Sequence, residues 1–377
     1  VTRISTIGVV YRVRGEACSI EARAAAIAVE QSVEMPPEAI DDPQVLDGII
    51  GRVEDIADRG GDVFDIRIAL ATATTGPEAG QLINMLFGNT SIHDDVELLD
   101  VDLPADVAAA FGGPNVGLEG LRARAGAGMD GGGAGAGRAL TCSALKPQGL
   151  PSHALADLAG RLALGGLDFI KDDHGLADQA YSPFAGRVPA CAAAVRAANA
   201  ATGGRTRYLP SLSGDLDRLR RQVALARDVG LDTLLIAPLV VGLPAFHTLV
   251  RDNPDMAFMA HPAMAGAARI APPLLIGRLF RLFGADAVVF PNHGGRFGYS
   301  PETCQRLARV ARAPWHGLRP AVPVPAGGMS LERVPEIIDF YGPDTMLLIG
   351  GSLLAARGRL TEETAAFTGL VRTHGQG

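Results

Sequence analysis

The sequence predicts an α/β protein in two parts: an N-terminal α+β domain of the ferredoxin-like kind, then a (β/α)8 TIM barrel. Three observations predict it. The chain has 377 residues, too many for one ordinary domain and enough for a small domain plus a full barrel. A stretch of almost nothing but glycine and alanine, Arg124 to Gly137, divides it. Beyond that stretch, short apolar runs recur eight times, each followed by a loop and a helix-like segment.

In chain order, Ile4 to Tyr11 reads as a strand, and Ile20 to Ser32 has helical spacing after Ser19, a candidate N-cap. Asp62 to Ala71 and Val96 to Val101 read as further strands. These elements make a domain of residues 1–122. Residues 123–138 read as a flexible linker or loop insertion, because such a composition buries little apolar surface. The eight runs follow in a domain of residues 139–377. They are Ala139–Leu145, Leu167–Lys171, Arg207–Pro210, Thr233–Ala237, Ala257–His261, Ala287–Pro291, Ala321–Pro325 and Thr345–Ile349. Continuous apolar strands alternating with helices imply a parallel sheet buried on both faces. A doubly wound open sheet also satisfies that pattern. Polar residues at the C-terminal ends of many runs favour the barrel, which places its chemistry there.

Composition narrows the function. Hydrophobic residues make up 47% and charged residues 20%, which allows a large core and argues against disorder. A net charge of −7 argues against nucleic acid or an anionic membrane as main partner, so local donors must hold any anionic substrate. No stretch resembles a signal peptide, and no apolar run reaches membrane-spanning length. Cys18, Cys142, Cys191 and Cys304 are far apart without CxxC spacing, as expected of reduced structural thiols in a cytoplasmic protein.

The ends of the runs carry the chemistry. The first ends in Lys146-Pro147-Gln148-Gly149-Leu150, and the second continues into Lys171-Asp172-Asp173-His174. The fifth ends at His261, the sixth at Asn292-His293-Gly294-Gly295, the seventh at Ala326-Gly327-Gly328, the eighth at Gly350-Gly351. Each has an ordinary explanation alone: a solvated lysine, a hydrogen-bonded histidine, a turn that needs positive φ. Six strand ends of this content at one barrel mouth point to a site. Glycines let backbone N–H groups approach a phosphate closely, and the loops after strands seven and eight are where such barrels bind one.

These residues also carry a resemblance. The run GGLDFIKDDH at residues 165–174 resembles the metal-binding strand of the RuBisCO superfamily, which usually ends in Lys-Asp-Asp-Glu. Lys146 in LKPQG resembles the lysine that shuttles protons at the reacting carbon. Glu30-Gln31-Ser32 resembles the family's N-terminal EQS, Asn89 in LFGN the amide near substrate and metal, and His261 and His293 the barrel histidines. The resemblance runs from about residue 25 to 355. It implies that Lys171 reacts with CO2 to form a carbamate, and that this group, Asp173 and His174 hold Mg²⁺ through hard ligands. Gln148 and Arg296 join the glycine pairs Gly327-Gly328 and Gly350-Gly351 as expected substrate or phosphate contacts. Glu30 and Asn89 reach the site from a partner subunit in the family, which implies a homodimer with shared sites.

Four departures separate the chain from true carboxylases. The loop HGGRFGYSPE after strand six has no lysine near Gly298-Tyr299, and none follows Lys171 anywhere. Pro262 stands where carboxylases carry a phosphate-clamping arginine. Gln148 replaces a second lysine, and His174 replaces the glutamate ligand. These changes imply a form IV, RuBisCO-like protein that binds one phosphate and does not fix CO2. A neutral imidazole in place of a carboxylate makes the metal site more positive and favours a substrate with its own carboxylate. Imidazole is softer than Mg²⁺ prefers, so Mn²⁺ is a second candidate, and water takes the position if His174 turns away. The expected reaction is decarboxylation of a keto sugar acid of the 3-oxo-isoapionate 4-phosphate type, or a transcarboxylase/hydrolase variant of it. The alternatives are an isomerase or enolase acting on 5-methylthioribulose 1-phosphate or its diketo analogue, and a non-catalytic regulator.

Overall fold

Alternation builds the first domain. In strand β1 (Thr6–Arg14), Ile7, Val9, Tyr11 and Val13 are buried while Val10 and Arg12 lie half-exposed between them, the period-two pattern of a strand with one packed face. Strand β1 pairs antiparallel with β3 (Val63–Ala71) and β4 (Val96–Asp102), and β2 (Arg52–Asp58) flanks β3, giving the order β2-β3-β1-β4. Helices Ile20–Glu30 and Ala79–Phe87 lie between β1 and β2 and between β3 and β4. This is the ferredoxin-like order. The computed structural model describes residues 5–127 and 137–374.

Two local readings change. Ser19 does not cap its helix: its backbone is helical (φ −111°, ψ −7°) instead of extended, and its hydroxyl donates to the Glu16 carbonyl at 3.1 Å. Strand β2 has no counterpart in the sequence reading because none of its seven side chains is buried.

The barrel strands are β5 (Leu140–Leu145), β6 (Phe169–Asp172), β7 (Arg207–Leu209), β8 (Ser211–Leu212), β9 (Thr233–Ile236), β10 (Ala257–Ala260), β11 (Ala287–Pro291), β12 (Val322–Ala326) and β13 (Met346–Leu348). Their parallel sheet runs β7-β6-β5-β13-β12-β11-β10-β9-β8. Strands β7 and β8, its two ends, are halves of one strand parted only by Pro210, which has no N–H for the ladder. The Pro210 carbonyl still accepts from Leu235 N at 3.0 Å. The sheet therefore closes on itself, the eight expected runs are its eight staves, and the open doubly wound alternative is excluded.

Leu140, Cys142, Phe169, Leu209, Leu235 and Met259 fill the barrel interior, joined by Leu118 and Leu121 of helix Gly117–Ala125. That helix plugs the floor. Its first turn is tied down by Asp286, whose carboxylate accepts from Val116 N and Gly117 N at 2.7 Å. The helix extends through Ala125, into the segment read as linker; Met129, Asp130 and the rest of residues 128–136 lie outside the described residues. All four cysteines are free, three of them buried. Among the described residues no helix is long and apolar enough to cross a membrane.

Candidate active site

Strand β6 sorts its side chains by alternation. Phe169 points into the barrel and Ile170 toward the surrounding helices, so Lys171 follows Phe169 inward and Asp172 follows Ile170 outward. Asp172 is fully buried there. It accepts from Tyr208 Oη at 2.8 Å, Ser211 N at 3.0 Å and Arg187 Nε at 3.1 Å. Arg187, itself fully buried, also donates to the carbonyls of Ser182 and Ala177 at 2.7 and 2.8 Å. A charged network behind the strand thus fixes the loop that follows it.

On the inner side, Lys171 and Asp173 are buried and Lys146 reaches them from the end of β5. The Lys146 ammonium forms an ion pair with Asp173 Oδ1, and Gln148 Nε2 donates to Asp173 Oδ2 at 3.2 Å. Gly175 makes room for that amide, since a Cβ there would overlap it. The Lys171 ammonium donates to the Asp172 carbonyl at 2.9 Å. Burial, aided by the Lys146 charge, lowers the Lys171 pKa and favours its neutral amine. Burial alone would raise the Asp173 carboxyl. Hydrogen bonds from His174, Lys146 and Gln148 instead hold it well below the usual carboxylate range.

Lys146 and Lys171 are the only lysines in the chain; the other 32 of its 34 basic residues are arginine. Arginine stays charged and is a poor nucleophile, whereas a buried lysine can lose its proton. Both lysines of the chain thus stand together at the barrel mouth, around Asp173.

His174 Nδ1 lies 3.5 Å from Asp173 Oδ1, and its ring stacks on His261 with centroids 4.0 Å apart and planes 6° from parallel. Burial above all, with the Lys146 charge nearby, keeps His261 neutral. Among the described residues no three His, Cys, Asp or Glu side chains converge to cage a metal. Asp173 and His174 supply two converging donors, and a cation as charged as Lys146 already sits on Asp173. The donor set fits a divalent ion on one condition, that Lys171 contributes an oxygen as its carbamate.

The remaining expected residues fall into three groups. Glu30 and Asn89 meet each other: Asn89 Nδ2 donates to Glu30 Oε1 at 2.8 Å and Glu34 Oε1 at 3.0 Å. Buried Gln31 holds that loop, accepting from Thr90 N and Oγ1 and donating to the Met85 carbonyl. Within one chain, no hydrogen bond or ion pair among the described residues links Glu30 or Asn89 to Lys146, Lys171 or Asp173. His293 also stands apart. Its ring packs on Phe340 with centroids 4.6 Å apart, and its buried Nε2 has no partner. Arg296 lies 4.9 Å over the Phe297 ring.

The glycine pairs do different things. A Cβ on Gly328 would lie 2.7 Å from the Gly295 Cα, so the loops after β11 and β12 press backbone to backbone, with Gly328 at φ +66°. Gly350 and Gly351 need no positive φ, and nothing lies within 4 Å of a Cβ built on either. Open space beside their backbone suits an anionic group. The Asp172–Tyr208–Arg187 network was not visible as a unit in the sequence, where its members stand up to 36 residues apart. An acidic residue at the end of a barrel strand, directly before Asp173, was its one signal.

Comparison with known proteins follows the same lines. A family model for the ribulose bisphosphate carboxylase large chain, catalytic domain, matches residues 134–365. A 5-methylthioribulose-1-phosphate isomerase of Rhodospirillum rubrum is 66% identical over 361 residues, covering 96% of this chain and 95% of that one. A 2,3-diketo-5-methylthiopentyl-1-phosphate enolase of Geobacillus kaustophilus is 33% identical over 76% of this chain and 70% of its own. The crystal structure of a Rubisco-like protein from Rhodopseudomonas palustris superposes with a TM-score of 0.90 at 53% identity, covering 99% of both chains.

Proposed function

The chain belongs to the RuBisCO large-chain family as a RuBisCO-like protein, and from that premise we propose that it is an isomerase of 5-methylthioribulose 1-phosphate. The observation that carries the chemistry is the cluster itself: one half-exposed lysine on the carboxylate of Asp173, and one buried lysine of lowered pKa beside it. What supports this substrate over the keto sugar acid suggested by His174 is the relative 66% identical along almost the whole chain. The charge of one ligand position discriminates less between the two substrates.

Lys171, as its neutral amine, attacks CO2 and releases one proton to give a carbamate. With Asp173 and His174 it would then hold Mg²⁺, or Mn²⁺. Such an ion polarises the substrate carbonyl and lowers the cost of negative charge on its oxygen when a neighbouring proton leaves. Lys146 is the proton carrier. It takes a proton from the carbon beside the carbonyl and returns one to a neighbouring carbon, so substrate and product are isomers and no co-reactant is consumed. Gln148 and Lys146 both rest on Asp173, and a cation held by that carboxylate would leave both free to meet the substrate. Backbone N–H groups at Gly350 and Gly351 would receive the phosphate. Glu30 and Asn89 would enter from a second copy of the chain and complete each site.

The test is purified protein with Mg²⁺ and bicarbonate in D2O, followed by phosphorus and proton NMR. The 5-methylthioribulose 1-phosphate signal should convert to an isomeric sugar phosphate that carries deuterium beside the carbonyl. CO2 release from 3-oxo-isoapionate 4-phosphate with the methylthio sugar unchanged would instead establish the decarboxylase.

A further inference from the structure

The mouth of the barrel is polarised. Strands β9, β10 and β11 are neighbours in the sheet, and each is followed by a segment that shows one large apolar side chain to solvent. These are Val240, 53% exposed, Met264, 60%, and Phe297, 53%. Only ten large hydrophobic residues are exposed among the described residues, and three of them follow three adjacent strands on one side of the rim. Met264 has φ +68°, a conformation that residues other than glycine seldom adopt and that recurs at ligand clamps. Its neighbours Ala263, Ala265 and Gly266 are small, which leaves its thioether as the dominant surface of that loop. The Phe297 ring is backed by the Arg296 guanidinium 4.9 Å away.

The other half of the rim is different. Strands β12, β13 and β5, also neighbours, end in Gly327-Gly328, Gly350-Gly351 and Lys146, with open space beside Gly350 and Gly351. A molecule lying across the mouth meets N–H donors and an ammonium at one end, and at the other apolar side chains with the Arg296 guanidinium engaged on the Phe297 ring. Two phosphates, or a phosphate and a carboxylate, would waste the second half. One phosphate and an apolar tail would use both.

We propose that Met264 and Phe297 are specificity-determining residues that cover the methylthio end of the sugar phosphate. This rests on the isomerase reading. Thioethers pack favourably against aromatic edges and against other thioethers, and a hydroxyl in the same place loses its water without a partner.

The test compares 5-methylthioribulose 1-phosphate with ribulose 1-phosphate, in which a hydroxyl replaces the methylthio group. The wild type should prefer the first on the order of ten- to a hundred-fold in kcat/KM. In the double variant Met264→Ser, Phe297→Ser, KM for the methylthio sugar should rise on the order of ten-fold. Its kcat, and KM for ribulose 1-phosphate, should stay unchanged. Phe297→Leu, still apolar, should retain most of the preference. An undiminished preference in the double variant overturns the subsite alone. So does loss of the oligomer in light scattering with KM unchanged, which would mean that these side chains meet a second copy. A wild type inert toward both sugars overturns the isomerase reading and the subsite with it.

Discussion

Between Lys171 and Asp172 the chain turns one side chain into the barrel, where Lys146 also reaches Asp173, and the next toward the helices, and substitutions on the inner and outer sides should part accordingly. Asp172→Ala leaves the fully buried Arg187 guanidinium without its carboxylate and Tyr208 without its acceptor. Breaking a buried pair from one side costs about 3–5 kcal/mol, so thermal unfolding should move down sharply. Lys146→Ala removes a half-exposed side chain whose only hydrogen bond or ion pair among the described residues is the pair with Asp173. Stability should change by less than about 1 kcal/mol while turnover is lost. Equal thermal shifts in the two variants would contradict this division. The inward residues were readable from the run GGLDFIKDDH because chemistry selects unusual residue types there. The outward network was not, because its meaning lies in contacts between Asp172, Arg187 and Tyr208 that no local pattern announces.

Elements were legible in proportion to how much apolar surface they bury. The barrel strands are buried along almost their whole length and stand out as apolar runs, whereas the exposed β2 does not. The plug helix Gly117–Ala125 was hidden by its own sequence, GLEGLRARA, which runs into the glycine-rich segment. Contacts between elements were equally invisible. One is His247, on helix Leu243–Asp252, whose Nε2 lies 3.1 Å from the Phe111 carbonyl at the end of helix Ala105–Phe111. Burial lowers its pKa below the ordinary 6.5. The folded protein therefore resists a proton that the unfolded chain accepts, and this stabilising contribution, complete above about pH 6.5, is lost as pH falls. Wild-type Tm should drop more between pH 7.5 and 5.5 than that of His247→Gln, which keeps a donor but cannot titrate. Identical drops would refute the assignment.

At the scale of the whole molecule, Glu30 and Asn89 are organised by Gln31 but among the described residues have no hydrogen-bond or ion-pair partner in the barrel of their own chain. A shared site predicts complementation. Glu30→Gln and Lys171→Ala chains should each be inactive, and co-assembled they should recover roughly a quarter of wild-type activity, since half of the dimers then hold one intact composite site. No recovery in verified mixed dimers would place each site within one chain. The fold, the strand-end cluster and the family were all visible in the sequence. The reaction was not, because a carbamate-held cation serves decarboxylation and isomerisation alike, and the tail-binding rim emerges only when three loops are brought side by side.

The proposed metal site depends on Lys171 becoming an oxygen ligand, and the scarcity of lysine makes that directly measurable. Protein equilibrated with ¹³C-bicarbonate and Mg²⁺ should show a single lysine carbamate carbonyl in its carbon NMR spectrum, one per chain, absent from Lys171→Arg. A spectrum without that signal, or one in which it survives in Lys171→Arg, would contradict the account.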